Sequence, residues 1–455
     1  MSSARLHGGL ATLCLLLSCP TGLAAAPISP VPASAPSGIQ AGSPADIGPS
    51  DIASPSSGTY PVALPVTSSG EAPLLDASGQ RKFYTITASL RETYDDNANT
   101  TQTNKEASLE TDISPSILFN FPLTGGSFSA RETVGVTYYA PAGNSNANDP
   151  NSRLDTYDIT DEFVAAYTHA FSDRFNLTAG EQFRYYTEPS IYESTGTYYY
   201  DGAYISNTFN AALAAQWTPL LGSSTSFTNT VVNYEEASVA QTQNNVENTL
   251  SHAFSLTVLP TISTSVGGTI DEINYDDSRG YINYTGFGGA QWQPTHDLAL
   301  SAQAGASYTE NNQIAGQPNQ PGEINPYAAL SVSWSPGPRT SVSFSYSHSV
   351  TPTDEVDANG QVSDRFSFNG HYDITPKLTA NVQAILTSLT VTQGLITSGI
   401  DSYSEEDYGL GLNLYYHLNG HIDLDTGVNL SGITSQIPTL GYTRDEYTIG
   451  IRGTY

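Results

Sequence analysis

The chain of 455 residues has little cysteine and little positive charge, and each shortage excludes a class of protein. Its two cysteines, Cys14 and Cys19, lie close to the N-terminus, so the rest of the chain cannot form disulfides. Lys and Arg together number 15 against 44 Asp and Glu. The basic residues are scattered, whereas nucleic-acid binding needs clustered Lys and Arg. We therefore expect no nucleic-acid partner.

Long hydrophobic runs are also missing beyond the N-terminus. No later stretch approaches the roughly 20 apolar residues that a membrane-spanning helix needs. The chain is not a disordered acidic protein either, because it contains 29 Tyr and 15 Phe, and disordered chains are poor in aromatic residues.

Residues 1–26 have the pattern of a signal peptide. A basic residue precedes the apolar segment Leu10–Leu17, and small residues at Ala24–Ala26 provide a cleavage site. Cys19 follows a Leu-Leu-Ser sequence that is similar to a lipoprotein cleavage site, so lipidation at Cys19 stays an alternative. Residues 27–81 are rich in Pro, Ser and Ala and predict a disordered periplasmic linker.

After Lys82 the sequence changes to segments of about ten residues in which apolar and small polar side chains alternate, as in the strands of membrane barrels. In "SVSFSYSHSV", Val342, Phe344, Tyr346 and Val350 share one face, and serines occupy the other. About 18 such segments start near residues 83, 109, 127, 154, 175, 204, 224, 247, 262, 282, 298, 327, 340, 362, 378, 403, 421 and 442. We predict an all-β fold, a transmembrane antiparallel up-and-down β-barrel of 16–18 strands over residues 82–455.

The connections between the segments support a bacterial outer-membrane barrel. Tight turns such as "SDR", "PGPR" and "NG" alternate with longer polar loops such as "APAGNSNANDPNSR". Outer-membrane barrels have short turns at the periplasmic end and long loops at the extracellular end.

Aromatic residues are distributed as two girdles at the membrane interfaces would require. Seven tyrosines precede the long loops, namely Tyr94, Tyr138, Tyr185, Tyr234, Tyr275, Tyr308 and Tyr346. Trp217, Trp292, Trp334, Phe121 and Phe171 lie near the tight turns. A soluble sandwich or propeller has no reason to sort Tyr and Trp to opposite ends of its strands.

The last residues of the sequence, "YTIGIRGTY", have the pattern of a strand that we expect to pair with the first strand and close the barrel. The alternating Tyr447, Ile449, Ile451 and Tyr455 resemble the C-terminal signal by which the outer-membrane insertion machinery of Gram-negative bacteria recognises its clients. Gly453 departs from that signal, because an apolar residue is commoner at its position.

The first strand contains "ASLRETYDDNANT". This stretch resembles the opening strand of outer-membrane β-barrel proteins of the porin-2 type, some of which are linked to exopolysaccharide systems. The resemblance covers about a dozen residues and the general layout of segments and loops. It implies an outer-membrane barrel and no particular cargo.

A barrel of about 18 strands is wide enough for an aqueous channel unless a loop fills it. Its inner face is predicted to carry small polar residues, such as the serines within Ser331–Ser335 and Ser341–Ser349. Alternation also places ten charged residues inside as lumen or constriction candidates: Arg91, Glu110, Asp112, Arg131, Asp158, Glu162, Arg184, Asp423, Asp425 and Arg452. They could form a charged constriction that sorts solutes or ion pairs that only stiffen the wall.

Glu132, Asp161 and Glu181 break the pattern, because they fall on the lipid-facing side of neighbouring strands. Carboxyl groups that face acyl chains are costly. Two explanations stay open: these residues contact a second copy in a homo-oligomer, or a bulge turns them inward.

Acidic clusters in the loops, "YDDN", "YDDS", "NYEE" and "SEED", could bind divalent cations that bridge lipopolysaccharide phosphates. The segment 354–364, "DEVDANGQVSD", matches only half of a calcium-binding loop, because Phe366 stands where the bidentate Glu belongs. We expect no metal ion and no cofactor. The eight His residues belong to no catalytic motif, so we expect no enzyme.

The sequence predicts a porin-like channel in the bacterial outer membrane, which passes small hydrophilic solutes or saccharides. The alternative is a plugged structural or interaction barrel, linked to exopolysaccharide export or to surface-polymer binding. Its expected partners are outer-membrane lipid and lipopolysaccharide, and the outer-membrane insertion machinery.

Overall fold

The computed structural model describes residues 83–141, 157–187, 203–312, 322–351, 353, 360–392, 402–436 and 441–455. The predicted signal peptide, the predicted linker and most of the calcium-like segment lie outside the described residues. The same holds for most of the loop "APAGNSNANDPNSR". No helix in the described part of the chain is long and apolar enough to cross a bilayer.

Eighteen antiparallel strands form one sheet in which each strand pairs with its neighbours in the sequence. Their bounds are β1 Tyr84–Asp95, β2 Ser108–Leu123, β3 Gly126–Pro141, β4 Tyr157–Ser172, β5 Phe175–Tyr186, β6 Tyr204–Gln216, β7 Leu221–Tyr234, β8 Asn245–Leu259, β9 Ile262–Tyr275, β10 Gly280–Thr295, β11 Leu298–Asn311, β12 Glu323–Gly337, β13 Thr340–Thr351, β14 Gln361–Thr375, β15 Leu378–Thr392, β16 Ser402–Asn419, β17 Ile422–Ser435 and β18 Tyr442–Thr454. One short helix, α1 (Ala237–Gln243), lies in the loop between β7 and β8.

The last strand closes the barrel against the first, as the sequence predicted. The β1–β18 pairing runs from Thr87 opposite Thr454 to Asp95 opposite Glu446. It continues beyond the ladder, because the Tyr455 N–H donates to the Ile86 carbonyl at 2.8 Å. A closed sheet leaves no open edge, which lipid could not satisfy with hydrogen bonds.

The sequence-based prediction of 18 strands and of their starts is confirmed. The largest difference is at β12, which was predicted to start near residue 327 and starts at Glu323. The acidic cluster "SEED" is the exception among the predicted loops, because Ser404 to Asp407 lie inside β16. They pair with β15 and β17 on both sides.

One face of every strand except β5 carries exposed apolar side chains, and this face forms the outer surface. On β16 the exposed residues are Tyr408, Leu410, Leu412, Tyr416 and Leu418. On β18 they are Tyr447, Ile449 and Ile451, together with Tyr455 after the strand. A soluble protein would bury such a continuous apolar surface, whereas the outside of a membrane barrel exposes it to acyl chains.

The predicted girdles are correct for the tryptophans and wrong for two tyrosines. Trp217, Trp292 and Trp334 are exposed beside the tight turns. Tyr275, however, is only 7% exposed, and its hydroxyl donates to the Thr353 carbonyl at 2.8 Å inside the barrel. Tyr234 pairs with Tyr204 on the inward-facing side of β6 and β7.

Candidate functional site

The candidate site is the lumen, which the inward-facing side chains of all 18 strands line. Along each strand the inward-facing residues alternate with the outward-facing ones. Residues that are paired across neighbouring strands point to the same face, so the pairing shows which residues face the lumen. All ten charged residues that the sequence placed inside lie on this inward-facing phase, for example Arg91, which pairs with Asp112 on β2 and with Gly450 on β18.

A first group of lumen charges lies where the barrel closes. Arg91 Nε is 3.2 Å from Asp425 Oδ2, and an Arg452 terminal nitrogen is 3.0 Å from Asp423 Oδ2. Asp423 Oδ1 also lies 2.6 Å from His417 Nδ1. The two arginines are therefore held by two aspartates of β17.

A second group of lumen charges centres on Glu162 of β4. Its Oε2 is 3.3 Å from a terminal nitrogen of Arg131, and its Oε1 is 3.2 Å from Arg184 Nε. Gln182 also donates to Oε1 at 3.1 Å. Glu162 is buried between two guanidinium groups, so these three donors fill most of the roughly four acceptor sites of its carboxylate.

The remaining predicted candidates accept hydrogen bonds from hydroxyl groups. The Ser114 hydroxyl donates to Asp112 at 2.5 Å, and Thr187 donates to Asp158 at 3.0 Å. Glu110 accepts from the Ser108 hydroxyl at 2.8 Å. Seven of the ten residues thus form the two ion-paired groups, and the three other carboxyls lie outside them, with Glu110 Oε1 4.0 Å from Arg444 Nη2.

Arg444 is a lumen residue that the sequence analysis missed. Its guanidinium contacts Asp95 Oδ2 at 2.5 Å and Glu446 Oε1 at 3.4 Å. Arg444 is on β18 in the same alternating phase as Arg452, so the alternation could have identified it.

The loop between β1 and β2 folds back onto the same wall. Asn97 and Lys105 both donate to the Thr443 carbonyl at 2.8 Å. Asp95 and Asn97 are fully buried. This loop therefore covers Arg444 and its partners Asp95 and Glu446 at the loop end of the barrel.

The hairpin of β13 and β14 leaves the wall and leans into the lumen. The pairing of β13 with β12 ends at His348, whereas its pairing with β14 continues to Thr351 opposite Gln361. Val350 packs instead against Ile273, Tyr275 and Tyr281 of β9 and β10. The prediction that Val350 faces lipid together with Phe344 is therefore wrong, because the hairpin bends inward after His348.

Arg279 fastens this hairpin to the loop between β9 and β10. It is 1% exposed, and its guanidinium lies 4.2 Å from the centre of the Tyr275 ring. It donates to the Thr353 carbonyl at 3.4 Å and to the Thr242 carbonyl, and it pairs with Asp277 at 2.6 Å. One buried cation thus joins three loops at this end of the lumen.

On several strands the inward-facing side chains are more exposed toward the turn end than toward the loop end. Along β13 the inward-facing serines pass from exposed at Ser341, through half-buried at Ser345, to buried at Ser349. The same change occurs along β16, from half-buried His417 to buried Tyr403. On β15 the inward-facing Leu389 and Val391 near the loop end are buried, and so is Thr379 near the turn end. Buried inward-facing side chains are therefore most frequent in the loop-side half of these strands.

The turn-side half has a polar lining. Hydroxyl groups bridge neighbouring strands there, with Ser301 Oγ 2.8 Å from Ser331 Oγ and Ser345 Oγ 2.6 Å from Ser367 Oγ. Short polar side chains leave room for water in the bore. No group of three or more His, Cys, Asp or Glu residues arranged for a metal ion occurs within the described ranges.

Comparison with known proteins gives one family match. Residues 325–455, which include most of β12 and all of β13–β18, match the family described as "Putative beta-barrel porin 2". No curated protein sequence matches the chain.

The solved structures that match the chain have low sequence identity to it. OccAB4 of Acinetobacter baumannii is 11% identical, with a TM-score of 0.41 over 83% of this chain and 99% of that one. OpdK of Pseudomonas aeruginosa, solved with vanillate, is 12% identical, with a TM-score of 0.45 over 82% and 98%. A BenF-like porin from Pseudomonas fluorescens Pf-5 is 10% identical, with a TM-score of 0.41 over 82% and 99%.

The closed pairing of the strands and the family match of the C-terminal strands both indicate a β-barrel. The strands place an apolar surface outside and a polar, charged surface inside, and the family model describes porins. The chain folds into a closed antiparallel β-barrel, and its C-terminal strands are similar to the family described as "Putative beta-barrel porin 2".

Proposed function

We propose that this barrel is a channel that passes small hydrophilic solutes or saccharides through a charged constriction in its loop-side half. The observation that carries the proposal is the gradient of exposure along the inward-facing residues, from exposed Ser341 to buried Ser349. A wide polar vestibule leads from the turn side to a narrow zone. That zone contains carboxylates and guanidinium groups, which can discriminate between solutes by charge.

The balance of lumen charges favours cations. The inward-facing residues of the strands include more carboxyls than guanidinium groups, namely Asp95, Glu110, Asp112, Asp158, Glu162, Glu247, Asp271, Glu405, Asp407, Asp423, Asp425 and Glu446 against Arg91, Arg131, Arg184, Arg365, Arg444 and Arg452. An excess of one sign along a narrow passage raises the local concentration of the opposite ion.

Recording from the purified protein in planar bilayers tests the proposal. Discrete, sustained openings are expected, and under a KCl gradient the reversal potential should have the sign of a cation-selective channel. Current block by added oligosaccharides, compared with small carboxylic acids, distinguishes the classes of solute. A protein that inserts in folded form and stays silent would contradict the channel.

A second candidate function is a plugged barrel that binds or helps to export a surface polysaccharide. The burial of Leu389, Val391 and Tyr403 on the inward-facing side favours it, because a filled lumen gives a narrow passage at most. This function predicts silence in bilayers, together with retention of the folded protein on immobilised polysaccharide.

Two partner proposals follow from the outer surface. Tyr447, Ile449, Ile451 and Tyr455 are all exposed on the lipid side, where the outer-membrane insertion machinery could read them as a signal. The exposed apolar band is the surface that lipid and lipopolysaccharide acyl chains would cover. Replacing Tyr455 with Ser should slow assembly of the folded form in cells, with Tyr416→Ser as an exposed tyrosine control.

A further inference from the structure

The outer surface of β3–β8 carries a carboxyl or amide side chain between apolar residues on each of six neighbouring strands. Each of these strands has one such residue on its outward-facing phase, within the stretch that exposed apolar residues flank. They are Glu132, Asp161, Glu181, Asn207, Asn229 and Asn248.

Outward-facing acids also occur on β1 (Glu92), on β9 (Glu272, opposite Asn248) and on β16 (Glu406), but no other neighbouring strands form a polar run of this length. On β10, only Gly286, Gly288 and Ala290 separate Tyr284 from Trp292 on the outward-facing phase. On β16, the outward-facing positions from Tyr408 to Leu418 are all Leu or Tyr. The polar face is therefore a local feature of one side, and a general tolerance of polar residues does not explain it.

No bulge turns these acids inward. The β3–β4 pairing is continuous from Gly126 opposite His169 to Tyr138 opposite Tyr157. In the β4–β5 pairing the register shifts only between Ala170 and Ser172, near the turn. Glu132, Asp161 and Glu181 therefore stay on the same face as Val134 and Phe183.

Some polar groups of this face bond one another. Asn207 donates to Glu181 Oε1 at 2.7 Å, and Asn229 donates to Asn248 Oδ1 at 2.9 Å. The carboxyls of Glu132 and Asp161 contact each other, and Asp161 Oδ1 is buried without a hydrogen-bond partner. Acyl chains offer no hydrogen bonds, so lipid cannot compensate these groups.

We propose that the outer face of β3–β8 binds the same face of a second copy of this chain. The contact would have a two-fold axis along the membrane normal, close to the Glu181–Asn207 pair on β5 and β6. A two-fold axis places β3 and β4 of one copy opposite β7 and β8 of the other. The carboxyl side of each copy then faces the amide side of its partner.

This arrangement is complementary in chemistry and in depth. Carboxylates only accept hydrogen bonds, whereas the amide groups of Asn229 and Asn248 can donate them. Asp161 lies four residues from the loop-side end of β4, and Asn248 lies three residues from the loop-side end of β8. Rotation about an axis along the membrane normal leaves the depth of each residue in the bilayer unchanged. Asp161 of one copy and Asn248 of the other therefore meet at similar depths. One chain thus supplies both halves of the contact, which favours a second copy over an unrelated partner.

Cysteine cross-linking in outer-membrane vesicles tests the proposal. Cys14 and Cys19 are replaced by serine, and a single cysteine is introduced at Phe209, an exposed residue of β6 beside the proposed axis. Oxidation with copper–phenanthroline should convert Phe209→Cys into a covalent dimer. Leu412→Cys, an exposed residue of β16 on the other side, is the matched control and should stay monomeric.

A second variant separates a specific contact from random collision. Replacing both Glu132 and Asp161 with leucine in the Phe209→Cys chain should abolish the dimer band. Glu92→Leu, which removes an outward-facing acid of β1 outside the polar face, should leave the band intact. Heat-modifiable migration in detergent gels shows that each variant is folded. The proposal is overturned if Phe209→Cys gives no dimer, if it links only to a protein of different mass, or if the dimer survives the loss of both acids.

Discussion

Arg91 on β1 and Asp425 on β17 form an ion pair of 3.2 Å across an intervening strand. Gly450 of β18 lies between them, opposite Asp425 on one side and Arg91 on the other. A Cβ atom at Gly450 would lie 2.7 Å from Asp425 Oδ1 and 2.8 Å from Arg91 Cγ. The missing side chain therefore allows the two charges to meet inside the lumen, at the seam where the barrel closes.

Gly450→Ala should separate this ion pair. The added methyl group overlaps both partners, so the free energy of unfolding should fall by about 1–3 kcal/mol, as overpacked sites do. Gly453→Ala on the same strand is the matched control, since its nearest neighbour would be 4.0 Å away. Urea unfolding in detergent micelles measures both variants, and equal stabilities would contradict the role of Gly450.

Glu162→Gln should shift ion selectivity toward anions. The substitution removes the negative charge between Arg131 and Arg184 and leaves two guanidinium groups facing the lumen without their counter-charge. The reversal potential in a KCl gradient measures the shift, and Arg131→Gln should move it in the opposite direction. Glu310→Gln, on the outward-facing phase of β11, should leave selectivity unchanged. If Glu162→Gln has the same reversal potential as the unmodified protein, these charges do not lie on the conduction path.

Arg279→Ala should loosen the inward-leaning hairpin of β13 and β14. The guanidinium is the buried cation that bonds the Thr353 carbonyl and stacks on Tyr275. Without it we expect larger or noisier single-channel currents. Arg339→Ala, an exposed arginine in a tight turn at the other end, serves as the control. If Arg279→Ala conducts like the unmodified protein, the hairpin does not set the constriction.

The alternation of residues along single strands predicted most of the residues that line the lumen. It did not predict the position of Val350, which depends on how the β13–β14 hairpin bends. Period-two patterning placed Arg91 and Asp425 inside correctly, because a paired strand has no freedom to rotate. The meeting of these residues over Gly450 depends on the register between β17, β18 and β1, which no single strand encodes. Val350 was assigned to lipid because β13 alternates without interruption, yet the hairpin detaches from β12.

Leu412→Arg should prevent or weaken insertion of the barrel. Leu412 is exposed on the outer surface of β16 between Leu410 and Leu414, and arginine at the bilayer midplane costs about 2–4 kcal/mol. Asn413→Arg, its inward-facing neighbour, should be tolerated because water can reach its side of the strand. Heat-modifiable migration and urea unfolding compare the pair. If both variants were equally stable, the assignment of the two faces would be wrong.

Current through single-cysteine variants tests most directly whether solutes cross through the lumen. Ser345 and Phe344 are neighbours on β13, with Ser345 facing inward beside Ser367 and Phe344 exposed on the lipid side. During bilayer recording, a charged, membrane-impermeant thiol reagent should reduce the current of Ser345→Cys and leave that of Phe344→Cys unchanged. A current that the reagent leaves intact in Ser345→Cys, or the absence of any current from the folded protein, would contradict a passage through this barrel.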